Sequence, residues 1–534
     1  MNRTMKSNQR RRHFLKGALG LGGMAMALGP GNAAAGDEGP VATPINVRVA
    51  GARGDGARLD TRALQSAIDR CAAGGGGTVW FPAGAYLSGT LFLRDRVTLH
   101  LEPGAVLLGS RDLADYPPTV ARVRSYTDNY TERSLIYAEG VKEIGLEGGG
   151  TIDGQGAAFK GPYKVRPYLI RMVACEEVTV RGLRLRNSPM WVQHYLACDR
   201  LWLDGLRVES RCNANNDGID IDGCQRVRIA NCDISSGDDA IVLKSTLDRP
   251  CQKVVITNCV LSSACNAFKL GTESNGGFED ITLSNCAMHD TELAGIALEL
   301  VDGGTLERVA ISNVTMRNVN GPIFVRLGNR ARPFQEGRAR PGLGRLRHVS
   351  ISHVQASGAN GIGCSITGLP EAFVEGLTLS DIQIGLAGGG GEDQARRAIA
   401  ERTADYPEYS MFGPLPACGF YCRHARDVRF TNVRLACERP DERPSFVAED
   451  VEGLDLLECH AKAVPRANPQ VRLIDVRDAR LHGCVCPRGA PGFVRVEGAR
   501  SERIRLLDND LSGATRLVEL GPGVSESAVS TRSG

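Results

Sequence analysis

Three aspartates carry the first chemical signal in this chain. Asp217 stands in NNDGIDIDG, and Asp238 and Asp239 stand side by side in SSGDDAIVLKS, 21 and 22 residues later. Aspartate is a poor strand former, yet the pair sits at the entrance to an apolar run. Crowded carboxylates make one another harder to ionise, so one stays protonated near neutral pH while another is charged. Such a set can protonate a leaving oxygen and activate a water molecule, the two tasks in breaking a glycosidic bond. Two other readings of three acids at this spacing stay open: capping of turns by Asp, and an oxygen-lined calcium site.

The bond-breaking reading requires elements that bring the three side chains together, and a repeat supplies them. VTVRGLRL centres on Gly182, LWLDGLRV on Gly205, RIANCDI on Asn231, VITNCVL on Asn258, ITLSNCAM on Asn285 and AISNVTM on Asn313. Further copies follow at His353, Asp381 and Asn432, with weaker ones near Glu458, Gly483 and Asp508. Each copy alternates apolar and polar residues, turns on Asn, Gly or Asp, and resumes, which reads as strand, turn, strand. A period of about two dozen residues with no helix inside it predicts stacked β coils, a parallel β-helix. Successive coils climb one strand spacing, about 4.8 Å. Asn231, Asn258, Asn285 and Asn313 are then expected to form an amide ladder in a turn, with Cys232, Cys259 and Cys286 stacked beside it in the core. The aspartates, about one coil apart, fall on one face. Trp191 and His194, on the coil before Asp217, are expected to face the same groove, where Trp stacks on sugar faces and His bonds hydroxyls.

The repeat spacing stretches twice. One excursion lies near 322–346, rich in Arg, Pro and Gly, and a larger one spans about 386–417. The second contains a helix-like EDQARRAIAERTA and then Tyr406, Tyr409 and Phe412, which are expected to wall the groove and favour attack at chain ends. Near the start, LDTRALQSAIDRCA places Ala63, Leu64, Ala67, Ile68 and Cys71 on one helical face, expected to cap the first coil. The solenoid is expected over 45–515, with a tail over 516–534.

Residues 1–35 contain six Lys or Arg and no acid. Removing those six of 64 bases leaves 58 against 61 acids, so the body is slightly acidic. It shows no basic stripe and gives no reason to expect nucleic acid. RRHFLK, then GALGLGGMAMALG, then Ala33-Ala34-Ala35 reads as a signal peptide of the twin-arginine type, with the folded body exported to the periplasm or beyond. No later run is apolar enough for a membrane span. The chain has 17 cysteines. A protein folded before export keeps its thiols, and no CxxC pair of pairs suggests zinc.

At these motifs the chain resembles glycoside hydrolase family 28, the polygalacturonases. Asn216-Asp217-Gly218-Ile219-Asp220 is similar to that family's first motif. Ser236-Gly237-Asp238-Asp239 is similar to its second, with the Lys244-Ser245 that often follows. The resemblance covers roughly residues 45–330. It implies a right-handed parallel β-helix that hydrolyses pectin with inversion, acts on a polysaccharide as a monomer, and needs no metal or cofactor. It also implies Asp238 as general acid, Asp217 and Asp239 holding and deprotonating the water, and Asn216 beside the substrate. Two departures stand out. Cys265-Asn266-Ala267 replaces the family's Gly-His-Gly, and Ala297-Leu298-Glu299 replaces the Arg-Ile-Lys that grips substrate carboxylates. Lys244, Lys269 or Arg326 is expected to supply the lost cations. A β-helix hydrolase of a rhamnogalacturonan or neutral glycan, a polysaccharide lyase and a non-catalytic carbohydrate-binding β-helix remain alternatives.

Overall fold

The computed structural model describes residues 43–462 and 468–532. The expected signal segment lies outside them. The described chain is a right-handed parallel β-helix with three strands per coil. In one coil these are Ile219–Asp222, Gln225–Ala230 and Asp233–Ser236. In the next they are Ile241–Ser245, Cys251–Thr257 and Val260–Ser263. Each strand pairs in parallel with its counterpart one coil on: Asp220 with Val242, Val227 with Val254, Ile234 with Leu261. Three sheets result, here called first, second and third in the order of these strands.

Alternation explains the second and third sheets. In Gln225–Ala230, Val227 and Ile229 enter the core while Arg226 and Arg228 face water. Asn231, Asn258, Asn285 and Asn313 turn the chain between these sheets in the left-handed region, with φ of 58°, 56°, 55° and 55°. Asn tolerates that region better than other residues with a Cβ. The amide ladder forms only in part: Asn258 donates to Asn231 at 3.4 Å and Asn313 to Asn285 at 3.2 Å, but Asn285 donates to Thr257 Oγ1 at 3.4 Å and not to Asn258. It lies on an exposed corner. Inside it Cys232, Cys259 and Cys286 are buried, and each thiol donates to a turn carbonyl. All 17 cysteines are free thiols.

The first sheet differs, since it is buried on both faces around the site. All four residues of Ile219–Asp222 are buried, Ile219 and Ile221 in the core and Asp220 and Asp222 beneath outer loops. Between Gly388 and Phe420 the chain leaves the coils. It returns across the first sheet's outer face, where Ile399, Tyr409, Phe412 and Leu415 pack on Ala297, Phe324, Tyr421 and Val447. Gly321 makes this docking possible, because a Cβ there would strike the Tyr409 ring. The helix expected over 392–404 shrinks to Glu392–Ala395. Beyond it the carbonyls of Glu401 and Arg402 bond Arg326, and that of Ile399 bonds Arg423, instead of closing helical turns.

The helix Thr61–Ala73 buries Leu64, Ala67, Ile68 and Cys71 in the main core, while Ala63 is only partly buried. Pairing continues past residue 515. Val518–Leu520 joins Val494–Glu497, and Val529–Arg532 joins Ile504–Leu507, so the segment expected as a tail carries paired strands. Among the described residues no helix is long and apolar enough to cross a membrane.

Candidate active site

The acids cluster where the third sheet turns into the first. Asp217 ends that turn before Ile219–Asp222, and Asp238 and Asp239 end the next, before Ile241–Ser245. Gly218 donates its amide to the Asp239 carbonyl at 2.9 Å, which sets Asp217 and Asp239 on adjacent coils. Asn266, one coil further, donates its amide and its side chain to Asp239 Oδ1 at 3.2 and 2.8 Å. Asp238 accepts from the Asp239 amide at 2.9 Å and from Asn215 Nδ2 at 3.4 Å. Asp217 and Asp239 are each 3% exposed, whereas Asp238 is only half-buried and is the member of the trio that faces solvent.

Two ammonium groups are wedged among these acids. Lys244 Nζ lies 3.8 Å from Asp217, 3.6 Å from Asp220 and 3.8 Å from Glu273. It rests over the Trp191 ring at 4.8 Å. Lys269 Nζ lies 3.4 Å from Asp239, 3.4 Å from Glu299 and 3.6 Å from Glu408. Burial pushes Asp217 and Asp220 well above the usual carboxylate range, and neighbouring aspartates push them further. Burial and then Asp239 raise Asp238, against the pull of Lys269. Burial raises Glu299 beyond what Lys269 recovers. Burial alone would lower both lysines, but the surrounding acids more than offset it and hold them protonated. The result is a set of shared protons around two fixed positive charges.

This arrangement suits proton transfer. Asp238 is an acid with a raised pKa at the solvent-facing edge, and two further carboxylates lie behind it. Asp238, Asp239 and Cys265 could bring one ligand atom each within 4.8 Å. That donor set of two carboxylates and a thiol, beside an ammonium, fits a hard cation poorly, since calcium takes six to eight oxygens.

Several expected substrate contacts are withdrawn. His194 is wholly buried, stacked on Tyr168 at 5.5 Å and bonded to Asp222 at 3.2 Å. Burial lowers its pKa to about 4, so it is a neutral packing group. Trp191 is 4% exposed, covered by Tyr130 at 5.1 Å and Tyr168 at 5.7 Å. It supports Lys244 and offers no face to a sugar. Asn216 is buried and locks the turn, donating to the carbonyls of Ser188 and Met190. Arg326 is 2% exposed and binds the carbonyls of Gly368, Glu401 and Arg402, anchoring the long excursion. Lys244 and Lys269 do stand in the acid cluster. Sequence reading missed Glu273, Glu408, Asn215 and Asn266. Only Asn266 carried a signal, through its place one coil after Asp239.

Residues 117–396 match the family model described as glycosyl hydrolases family 28. The chain belongs to this family. A probable polygalacturonase of Vitis vinifera is 35% identical over 215 residues, covering 37% of this chain and 43% of its own. An exo-poly-alpha-D-galacturonosidase of Dickeya chrysanthemi is 40% identical over 120 residues, covering 21% of this chain and 19% of its own. The chain thus spans less than half the length of these curated relatives. The exopolygalacturonase of Thermotoga maritima superposes with a TM-score of 0.60 at 20% identity, over 73% of this chain and 91% of its own. At that identity the likeness is one of fold.

Within family 28 the two departures acquire a physical setting. Asn266 takes the middle of the Gly-His-Gly position and orients Asp239 through two donated bonds. Ala297 lies under the long excursion, and Glu299 is buried behind Lys269. A cation at Ala297 would lose its solvent and meet Tyr409 and Phe412.

Proposed function

We propose that this family 28 chain hydrolyses α-glycosidic bonds of pectic polysaccharide with inversion. Asp238 gives its proton to the leaving oxygen. A water held by Asp217 and Asp239 attacks the anomeric carbon from the opposite face and loses its proton to one of them. The observation that carries this reading is the half-buried, proton-retaining Asp238 set against two buried aspartates on adjacent coils. Attack at chain ends is supported by the long excursion, which brings Glu408 to Lys269 and holds Tyr406 over it at 5.5 Å. The exo-acting protein names among its relatives point the same way. Incubating the purified chain with homogalacturonan, rhamnogalacturonan and neutral glycans tests the proposal, with Asp238→Asn as control. Release of saturated mono- or digalacturonate from the start supports it, and an ultraviolet-absorbing unsaturated product would replace it with a lyase. The first 35 residues are proposed to export the body. Changing Arg11 and Arg12 to Lys should leave a cytoplasmic precursor on fractionation.

A further inference from the structure

The covered Ala297 and buried Glu299 raise the question of what receives an acidic sugar in this chain. The shorter excursion, between Leu327 and Arg345, returns to the site. Asn275 pins it by donating to the Arg332 carbonyl at 2.9 Å. It delivers two guanidinium groups. Arg332 lies on the Tyr126 ring, 3.5 Å from its centroid, and ion-pairs with Glu273. Arg330 lies 5.5 Å from the Tyr406 ring and pairs with Asp302, with Glu273 at 3.9 Å. The other Glu273 oxygen is 3.8 Å from Lys244, the ammonium that also touches Asp217 at 3.8 Å. The arginines are therefore joined to the cleavage centre through a single lysine.

We propose that Arg332 and Arg330, backed by Lys244, form a subsite for the carboxylate of a uronic acid residue, seated between Tyr126 and Tyr406 beside the cleaved bond. Arg332 and Arg330 are matched by Glu273 and Asp302, and Lys244 also faces Asp217 and Asp220, so the opening for a further carboxylate is the outward edge of Arg332 and not a surplus of charge. Arg332 keeps 26% of its side chain exposed, and among the described residues its Nη1 has no acceptor. A planar guanidinium fork matches a carboxylate. Tyr406 is 54% exposed and Tyr126 half-buried, giving aromatic surface for the sugar ring. Lys244 is nearly buried and serves as backing charge.

The subsite rests on the hydrolase reading for its substrate class, and a binding measurement separates the two. In the Asp238→Asn chain, titration calorimetry should show digalacturonate binding about tenfold tighter than its dimethyl ester, the effect of one charge-assisted bond. Arg332→Gln in that background should abolish the preference, and Arg332→Lys should restore part of it. Equal affinity for acid and ester, no binding of either, or equal weakening of both by Arg332→Gln with unchanged melting, would overturn the subsite. Should the wild type release no galacturonate while the preference persists, the subsite stands and the hydrolase reading falls.

Discussion

Coil stacking does opposite things to charge on two faces of this molecule. Along the outer face of the second sheet, several bases meet acids from their own or a neighbouring coil in open solvent. Arg308 pairs with Glu279 and Asp280, Arg426 with Glu375 and Glu452, and Arg503 with Asp478. Arg308 and Arg503 both adopt the left-handed region, with φ of 55° and 54°. On the outer face of the first sheet the same stacking crowds acids around two buried lysines. One oxygen of Asp217 and both oxygens of Asp220 and Glu299 have no hydrogen-bond partner. Water screens the first pattern, so it costs little and contributes little. The second lacks that screening, and protons become the means of relief. Reactivity arises where the repeat places like charges together and loops exclude solvent.

The comparison breaks most sharply at Asp238. Asp238→Asn keeps the shape and can still accept from the Asp239 amide, though not also from Asn215, and it cannot donate the proton, so kcat should fall about 10³-fold, within the range for a lost general acid. The melting temperature should hold, because the residue is half-buried at the edge of the cluster. A rate within tenfold of wild type would remove Asp238 from the mechanism.

Lys269→Met comes next. It strands Asp239, Glu299 and Glu408, and breaking such buried pairs costs about 3–5 kcal/mol. Protonation can recover part of that cost. Burial already holds Glu299 and Glu408 above the ordinary carboxylate range, and loss of the ammonium raises them further, so these stranded acids cost nothing below the unfolded pKa, and the penalty grows as pH rises toward the folded one. The denaturation midpoint of the variant should therefore lag wild type more at pH 8 than at pH 5. Glu273 has the opposite sign. Burial would raise it, but Lys244, Arg332 and Arg330 hold it down at about 2. Its contribution is present above the ordinary glutamate pKa and lost as pH falls toward 2. Glu273→Gln should cost on the order of 3 kcal/mol at pH 7, because each tenfold change in proton affinity on folding is worth about 1.4 kcal/mol. Near pH 2 it should cost little.

Much of this was readable before the structure. The Asn231, Asn258 and Asn285 turns set the coil length, and coil length put Asp217, Asp238 and Asp239 on one side. Reading Trp191, His194, Asn216 and Arg326 as groove residues went astray for one shared reason. Alternation assigns a side chain to the outer face of a strand, but it does not say whether that face meets water. Here excursions of the chain cover it, and no periodic signal foretells where a loop lands. Arg330 and Arg332 were noticed as part of an Arg-rich loop, yet their approach to Glu273 depends on that same landing. The EDQARRAIAERTA segment shows the limit from the other side. Its helical pattern is real, but Arg326 and Arg423 take the carbonyls that helical bonds would need.

The smallest expected effect lies on the solvent-facing ladder. Arg503 is paired with Asp478 through Nε at 2.6 Å and Nη2 at 2.7 Å, a geometry as good as any at the site. Its side chain is 54% exposed against 3% for Lys269. Removing it leaves Asp478 free to take water in exchange, so Arg503→Ala should leave the denaturation midpoint unchanged within error at low and at high salt. Lys269→Met removes a cation held at longer distances, 3.4–3.6 Å, yet should unfold the chain far more easily. If the two variants proved equally stable, pairing distance alone would govern these ladders. The buried acids around Asp238 would then need another source for their raised pKa than exclusion of water by the excursions.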